Sequence, residues 1–118
     1  MLAWAVVIFA LSSIPGNALP EVPGAQTDKL VHGIVYLVLG LACGRALAAT
    51  TGLGAGWRVA LVSLLATAYG VTDELHQLFT PRRSCDGHDV VADAVGGFIG
   101  AVLAVTLLAR RARPPTRP

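Results

Sequence analysis

Long apolar runs are the feature of this sequence that most constrains its fold. Residues 30–49 and 90–109 each reach the roughly 20 residues that a helix needs to cross a bilayer core of about 30 Å. A third run, 57–71, contains only apolar or small residues apart from Arg58. The first, 1–14, reaches only roughly 21 Å, and we interpret it as a short or N-terminally clipped span. These runs predict an all-α integral membrane bundle of about four transmembrane helices with short loops.

Composition favours a membrane protein over a soluble one. Hydrophobic residues make up 54% of the chain and charged residues only 14%, whereas soluble domains carry about 25% charged residues. A soluble all-helical domain is therefore the weaker alternative. A signal peptide is also disfavoured, because no basic segment precedes the first apolar run. We predict one transmembrane domain over 1–110, followed by an Arg/Pro-rich cytoplasmic tail over 111–118.

Helix-breaking residues separate the apolar runs. Pro15 and Gly16 end the first run, and residues 16–27 are predicted to form a loop. Either Thr27 or Asp28 is expected to cap the helix that follows. In the last run, small residues are expected to permit close helix contact. These small residues are Gly96, Gly97 and Gly100.

The basic residues predict the orientation of the bundle. Four arginines crowd the C-terminus, namely Arg110, Arg111, Arg113 and Arg117. Nucleic-acid binding is one interpretation of such a tail, but a cytoplasmic anchor beside a membrane helix is simpler, and we expect no nucleic-acid partner. Arg45 and Arg58 flank the short loop that faces the same side. By the positive-inside rule both termini are cytoplasmic, and all seven acidic residues lie at the extracytoplasmic face.

In this orientation, polar side chains from three helices meet at the extracytoplasmic end. Each set has helical spacing, so its members share one face of their helix. The sets are Asp28, His32 and Tyr36, then Tyr69, Asp73 and Gln77, and finally Asp86, Asp89 and Asp93. A charged group inside a membrane helix costs about 2.5–3.5 kcal/mol even on the mildest scale, so these groups need partners. A hydrogen-bond network that only holds the helices together is the structural alternative to a functional site.

The residue types suggest acid–base chemistry on a phosphate-containing substrate. Crowded carboxylates favour different protonation states, and a histidine can move protons near neutral pH. The predicted catalytic residues are His32, Asp73, Glu74 and Asp89. The predicted substrate-binding residues are Asp28, Lys29, Tyr36, Gln77, Arg82, Arg83, Asp86 and Asp93. Taken alone, Lys29 would be interpreted as a flank residue that extends towards the membrane surface.

Two arginines and the carboxylates also predict what the site binds, namely phosphate and a divalent cation. Arg82 and Arg83 lie on the loop after the third helix, and arginine binds phosphate through paired hydrogen bonds. Phosphate beside carboxylates also suggests a divalent cation such as Mg²⁺, held through oxygens, although no specific ligand motif is present. At the outer leaflet, such phosphates belong to membrane lipid headgroups or polyprenyl carriers.

The combined motifs resemble the VanZ-like family, named for a teicoplanin-resistance protein. The matching pieces are Ser12-Ser13-Ile14-Pro15, Asp28-Lys29-Leu30-Val31-His32 with Tyr36, Asp73-Glu74-Leu75-His76-Gln77-Leu78-Phe79, then Pro81, Arg83, Ser84 and Asp86, and last Asp89, Asp93, Gly96 and Gly100. They cover nearly the whole chain up to Arg110. The resemblance implies lowered susceptibility to teicoplanin-type lipoglycopeptides in some members. It also implies kinship with membrane enzymes proposed to process lipid or polyprenyl headgroups.

Two positions depart from the pattern of that family. Arg82 stands where glycine is usual, and we expect it to tighten the loop or to add a second phosphate contact. Asp93 stands where asparagine is common, which adds a proton-binding group and should leave a polar site intact.

Three functions are consistent with these residues. The first is an enzyme that hydrolyses or transfers phosphoester-linked lipid headgroups. In this enzyme His32 and Glu74 are acid and base, and Asp73 and Asp89 orient them or hold a cation. Arg83 binds the phosphate, and Gln77 positions a substrate oxygen. The second is a small transporter or efflux unit that works as a homodimer, although transport favours a charge near the bilayer midplane and these acids lie towards one end. The third is a non-catalytic protein that shields the cell envelope.

Overall fold

The computed structural model describes residues 1–18 and 25–111, and within these ranges the chain is all-helical. The elements are α1 (Leu2–Ser12), a short 3-10 helix (Gly16–Ala18), α2 (Ala25–Thr50), α3 (Ala55–Gln77) and α4 (Gly87–Arg111). The predicted all-α class is confirmed for these residues. Half of the predicted loop over 16–27, namely residues 19–24, lies outside the described residues, as does the predicted tail apart from position 111.

The long helices extend beyond the apolar runs that predicted them. α2 begins at Ala25 rather than at residue 30, and α4 begins at Gly87 rather than at residue 90. Thr27 and Asp28 therefore lie inside the first turn of α2, so the prediction that one of them caps the helix is wrong. An acidic residue is stable in a first turn, because it faces the positive end of the helix dipole. Hydropathy identifies only the apolar part of such a helix and misses its polar first turn.

Two helices in the described part of the chain are long and apolar enough to cross a membrane. They are Thr27–Thr50 and Gly87–Arg110. α1 has 11 residues and reaches only about 17 Å. α3 has 23 residues, but its last turns are polar. Length and composition thus fit a membrane protein, whereas a bundle of about four spans stays a prediction.

The closest packing in the molecule joins α2 and α4, which lie parallel to each other. A side chain at Gly40 would overlap the backbone of Gly97, and one at Gly96 would overlap the backbone of Gly33. A side chain at Gly100 would likewise overlap the backbone of α2. We call these five residues the glycine seam. The predicted close contact at the glycines of α4 is confirmed, because their missing side chains let the two backbones touch.

α3 lies antiparallel to α4 and covers its other side. Ala66 lies against Gly97, and one turn later Gly70 lies against Asp93. Because α2 and α4 start where α3 ends, these three helices bring their polar termini to one end of the bundle.

α1 rests on α2 and α3 through two hydrogen bonds from aromatic side chains to backbone. The indole of Trp4 donates to the carbonyl of Val35 at 2.9 Å. The hydroxyl of Tyr69 donates to the carbonyl of Ala5 at 2.7 Å. Both bonds satisfy polar atoms that are otherwise costly in apolar surroundings, so they fix α1 against the bundle.

Candidate functional site

Every acidic residue of the described chain lies at the end of the bundle where α2 and α4 begin and α3 ends. We call this set the acidic cluster. Its members are Asp28, Asp73, Glu74, Asp86, Asp89 and Asp93. Glu21, the remaining acid, lies outside the described residues. Four members are buried, namely Asp73, Glu74, Asp89 and Asp93. The structure therefore brings together carboxylates from three distant segments of sequence.

A pair formed by His32 and Asp93 lies at the centre of the cluster. Nδ1 of His32 lies 3.0 Å from Oδ1 of Asp93, whose side chain is 0% exposed, against 10% for His32. A side chain at Gly70 would come within 2.7 Å of Oδ2 of Asp93, so glycine is needed to seat this carboxylate. Since Asp93 holds Nδ1, the other ring nitrogen is left for a further partner. Asp93 therefore orients His32, a role that the sequence assigned to Asp73 and Asp89.

Lys29 lies between two carboxylates at the start of α4, one just before the helix and one in its first turn. Its ammonium donates to Oδ2 of Asp86 at 2.7 Å and to Oδ1 of Asp89 at 2.9 Å. Lys29 is thus an inter-helix clamp rather than the flank residue that it resembles when taken alone. The hydrogen bonds from Lys29 and from the amide of His88 hold the pKa of Asp86 well below its ordinary value. The Lys29 side chain remains 31% exposed.

The start of α4 is fixed by two carboxylates. Oδ1 of Asp86 accepts a hydrogen bond from the amide of His88 at 2.9 Å, which caps the helix. Oε2 of Glu74, from α3, accepts the amide of Asp86 at 2.8 Å. The exposed Cys85 next to this contact is a free thiol, and its pKa is raised by partial desolvation and by the carboxylate of Glu74.

Several buried polar atoms at this end of the bundle have no hydrogen-bond partner within the described chain. They are Oη of Tyr36, Oε1 of Glu74 and Oδ2 of Asp93. Tyr36 and Glu74 are each only 1% exposed. Leaving a buried polar atom unpaired costs about 1–3 kcal/mol, so such atoms call for a bound proton, water or ion.

Three residues of this region lie close enough together to hold a metal ion. Asp28, His32 and Asp89 each offer one ligand atom, and these atoms all lie within 4.8 Å of one another. Two of these residues come from α2 and one from α4. One nitrogen and two oxygens form a donor set that suits a divalent cation.

The two arginines after α3 differ in their surroundings. Arg83 donates from Nε to the carbonyl of Ile14 and from Nη2 to that of Leu11, both at 3.3 Å. Its guanidinium thus binds the C-terminal carbonyls of α1, and its predicted phosphate contact stays a prediction. Arg82 is exposed and has a φ of 58°. Only glycine adopts this left-handed conformation without cost, which explains why glycine is usual at this position in the VanZ-like pattern.

Side chains of α3 and of the loop after it bind the end of α1. We call this region the α1 clasp. It consists of Ser13 just after α1, His76 on α3, and Thr80 and Arg83 on the loop. The hydroxyl of Ser13 donates to the carbonyl of Phe9 at 2.7 Å and lies 3.0 Å from Nε2 of His76. The hydroxyl of Thr80 donates to the carbonyl of Ser12 at 3.4 Å. The role of His76 is not predicted from the sequence, since its partner lies far away along the chain, in the Ser-Ser-Ile-Pro motif.

The remaining predicted site residues lie at the same end of the bundle. Asp73 is 4% exposed and Gln77 is 2% exposed, both on the last turns of α3. The rings of Tyr36 and Tyr69 pack with their centroids 6.1 Å apart, beneath the acidic cluster. The structure therefore gathers the predicted residues of α2, α3 and α4, and separates Arg83 from them.

Comparison with known proteins gives one match. No curated protein and no solved structure matches the chain. A family model described as VanZ/LLP1 matches residues 1–109, which include α1, α2, α3 and nearly all of α4. The match covers far more than half of the chain and agrees with the resemblance in its motifs. The chain belongs to the VanZ/LLP1 family.

Proposed function

We propose that this protein binds and processes phosphate-containing lipid or polyprenyl headgroups at a membrane surface. The pair of His32 and the fully buried Asp93, 3.0 Å apart, is the observation that carries the proposal. A carboxylate that holds Nδ1 fixes the tautomer of the ring, so that Nε2 can act as a general base. The neighbouring carboxyl groups can supply the general acid that the same reaction needs.

In the hydrolytic form of the reaction, water is the nucleophile. His32 takes a proton from water as the water oxygen bonds to phosphorus. The phosphorus–oxygen ester bond breaks, its electron pair leaves with the ester oxygen, and that oxygen takes a proton from Glu74. Ester and water thus become alcohol and phosphate acid, and solvent carries the proton from His32 back to Glu74. In the transfer form, a lipid hydroxyl replaces water.

Lys29 is better supported than Arg83 as the contact for the phosphate. An ammonium group has three N–H donors, and the carboxylates of Asp86 and Asp89 use two of them. The third remains for a phosphate oxygen. The guanidinium of Arg83, in contrast, is directed at the carbonyls of α1.

The distribution of charge supports a site at the extracytoplasmic face, with both termini in the cytoplasm. The acidic cluster lies where α2 and α4 begin, whereas Arg45, Arg58 and Arg110 lie towards the opposite end of their helices. Basic residues favour the cytoplasmic side. A headgroup-processing site in the outer leaflet is also where a change in envelope lipids would lower susceptibility to lipoglycopeptides such as teicoplanin.

The test is conversion of lipids by the purified full-length chain in nanodiscs made from native membrane lipids, followed by mass spectrometry of the headgroups. His32→Gln removes the base, and His76→Gln is the matched control at the α1 clasp. We expect conversion by the wild type and by His76→Gln, and a rate lower by roughly 100-fold or more in His32→Gln. Equal rates for wild type and His32→Gln would overturn the proposed role of His32. If the folded wild type binds lipid without converting it, the protein is a shielding protein instead.

A further inference from the structure

We infer that the acidic cluster holds a divalent transition-metal cation, Zn²⁺ or Mn²⁺, between α2 and α4. Its ligands are Asp28, His32 and Asp89, whose ligand atoms lie within 4.8 Å of one another. This inference rests on the proposed function for its purpose but changes one role in it. A metal on Nε2 would take the lone pair that His32 needs as a base, so His32 would hold the metal and the metal would supply an activated water. Metal binding itself is measurable without any lipid.

The fold explains why these three residues meet. Asp28 and His32 are four positions apart in α2 and therefore share one face. Asp89 lies in the first turn of α4, which the glycine seam draws against α2. Lys29 binds Oδ1 of Asp89, which leaves the second oxygen of that carboxylate for a metal.

The orientation of His32 is the one that metal-binding histidines require. Metal-ligating histidines commonly donate their other ring N–H to a carboxylate, which fixes the ring and strengthens the ligand. Asp93 supplies that carboxylate at 3.0 Å from Nδ1, so Nε2 is the ligand atom. Asp93 is thus a positioning residue and does not itself bind the metal.

Unpaired buried carboxylate oxygens provide independent support for a bound cation. Oε1 of Glu74 and Oδ2 of Asp93 have no hydrogen-bond partner within the described chain, and both residues are at most 1% exposed. The other oxygen of Glu74 binds the amide of Asp86, so this carboxylate lies beside the turn that carries Asp89. Buried carboxylate oxygens of this kind favour a positive charge or a proton nearby, and a bound cation would supply that charge.

The described residues supply too little of that charge. Among them, Lys29 is the only lysine or arginine in a salt bridge with the acidic cluster. Arg83 is directed at α1, and Arg82 is exposed on the loop. A divalent cation at the ligand set would offset the remaining carboxylates where they are closest together.

The donor set selects the type of metal. Mg²⁺ and Ca²⁺ prefer oxygen ligands alone, whereas an imidazole suits zinc. Mn²⁺ prefers oxygen ligands but, as a transition metal, accepts an imidazole beside two carboxylates. This favours Zn²⁺ or Mn²⁺ over the Mg²⁺ that carboxylates and phosphate suggest from the sequence. Three protein ligands also leave a coordination position open, as in catalytic zinc sites, for a water molecule or a phosphate oxygen.

The test is a titration of the tag-free full-length chain in detergent, first stripped with a chelator and then dialysed. Zn²⁺ and Mn²⁺ binding is measured by calorimetry, and Co²⁺ absorption reports the ligands. We expect one equivalent per chain, no stoichiometric binding in His32→Gln, and an affinity at least about 10-fold lower in Asp28→Asn. His76→Gln, the matched histidine control, should bind as the wild type does. Asp93→Leu should weaken binding by about 10–100-fold and alter the Co²⁺ spectrum.

The possible outcomes separate the metal from the proposed function. Unchanged binding in His32→Gln and Asp28→Asn, or an equal loss in His76→Gln, would overturn the metal site. If His32→Gln fails to fold, Asp28→Asn still tests the metal site, because Asp28 is exposed and asparagine has nearly the same shape. Metal binding without lipid conversion would overturn the proposed function alone. Lipid conversion that persists after chelation would overturn the role of the metal in the reaction and leave the proposed function standing.

Discussion

One histidine lies beside the acidic cluster and another lies in the α1 clasp, but the two histidines have different partners. In the clasp, His76 lies 3.0 Å from the hydroxyl of Ser13, and the surrounding bonds run to backbone carbonyls at the end of α1. In the cluster, His32 pairs with the carboxylate of Asp93. There, neighbouring buried oxygens remain unpaired within the described residues.

This difference distinguishes a structural polar region from a functional one. In the clasp, side-chain donors bind backbone carbonyls at the end of a helix, which have no partner within the helix, and this stabilises the fold. Buried carboxylates with unused oxygens cost stability, and a protein keeps them where binding or chemistry uses them. Substitutions in the clasp should therefore affect stability first, and substitutions in the cluster should affect activity first.

The largest expected effect comes from Asp93→Leu, which keeps the branched shape but removes the carboxylate. His32 then has no partner to fix its tautomer, so headgroup conversion should fall by roughly 100-fold or more. The free energy of unfolding should change little, because the gain from removing a buried charge with an unpaired oxygen is offset by the loss of the hydrogen bond to Nδ1 of His32, which costs about 1–3 kcal/mol. Asp93→Asn is the control, since the amide oxygen can still accept from Nδ1, and it should keep most of the activity. A large loss of stability in Asp93→Leu would contradict the contrast between the two regions.

The next effect concerns Arg83→Ala in the α1 clasp. It removes two hydrogen bonds to carbonyls of α1, so the free energy of unfolding in detergent should fall by about 1–2 kcal/mol. Activity per folded molecule should change little. Arg82→Ala is the control, because Arg82 is exposed and its side chain makes no such bonds. A loss of lipid binding in folded Arg83→Ala would instead restore the phosphate role that the sequence predicts for Arg83.

A smaller gain is expected from Arg82→Gly. The left-handed conformation at this position costs an L-residue about 1–2 kcal/mol, and the greater freedom of glycine in the unfolded chain offsets part of that. Thermal unfolding should therefore show a gain of about 0.5 kcal/mol. Arg82→Ala gives no such gain, because alanine retains a Cβ. If glycine and alanine behave alike, backbone strain does not explain the family preference.

The smallest effect is a pH dependence through Asp86. Its pKa in the folded protein lies below the ordinary value of 3.8, so its pairing with Lys29 stabilises the fold above that pH. The contribution is lost as the pH falls from 3.8 towards the folded pKa. Asp86→Asn keeps a helix cap but removes the charge. The wild type should thus be more stable than the variant at neutral pH, and unfolding curves should converge as the solution is acidified below pH 3.8.

Much of the acidic cluster follows from helical spacing. Asp28 and His32 share a face because they are four residues apart, and Asp89 and Asp93 do so for the same reason. The glycines of α4 likewise indicate close packing from their spacing alone. These predictions rest on backbone periodicity, which the sequence expresses directly.

Contacts of long side chains could not be predicted in this way. Lys29 and Arg83 each have several rotatable bonds, so their partners depend on the packing of separate elements. The left-handed backbone at Arg82 precedes Arg83, whose guanidinium reaches the carbonyls of α1. The Ser13–His76 contact joins residues 63 positions apart, and no periodicity connects them.

The parallel packing of α2 and α4 has a consequence for the electric field at the acidic cluster. Each helix carries about half a positive charge at its N-terminus, and the glycine seam holds two such termini side by side. The carboxylates in their first turns therefore face a positive potential that arises from the backbone alone. A substitution that widens the seam would move the two termini apart and weaken that potential, even though it changes no charged residue.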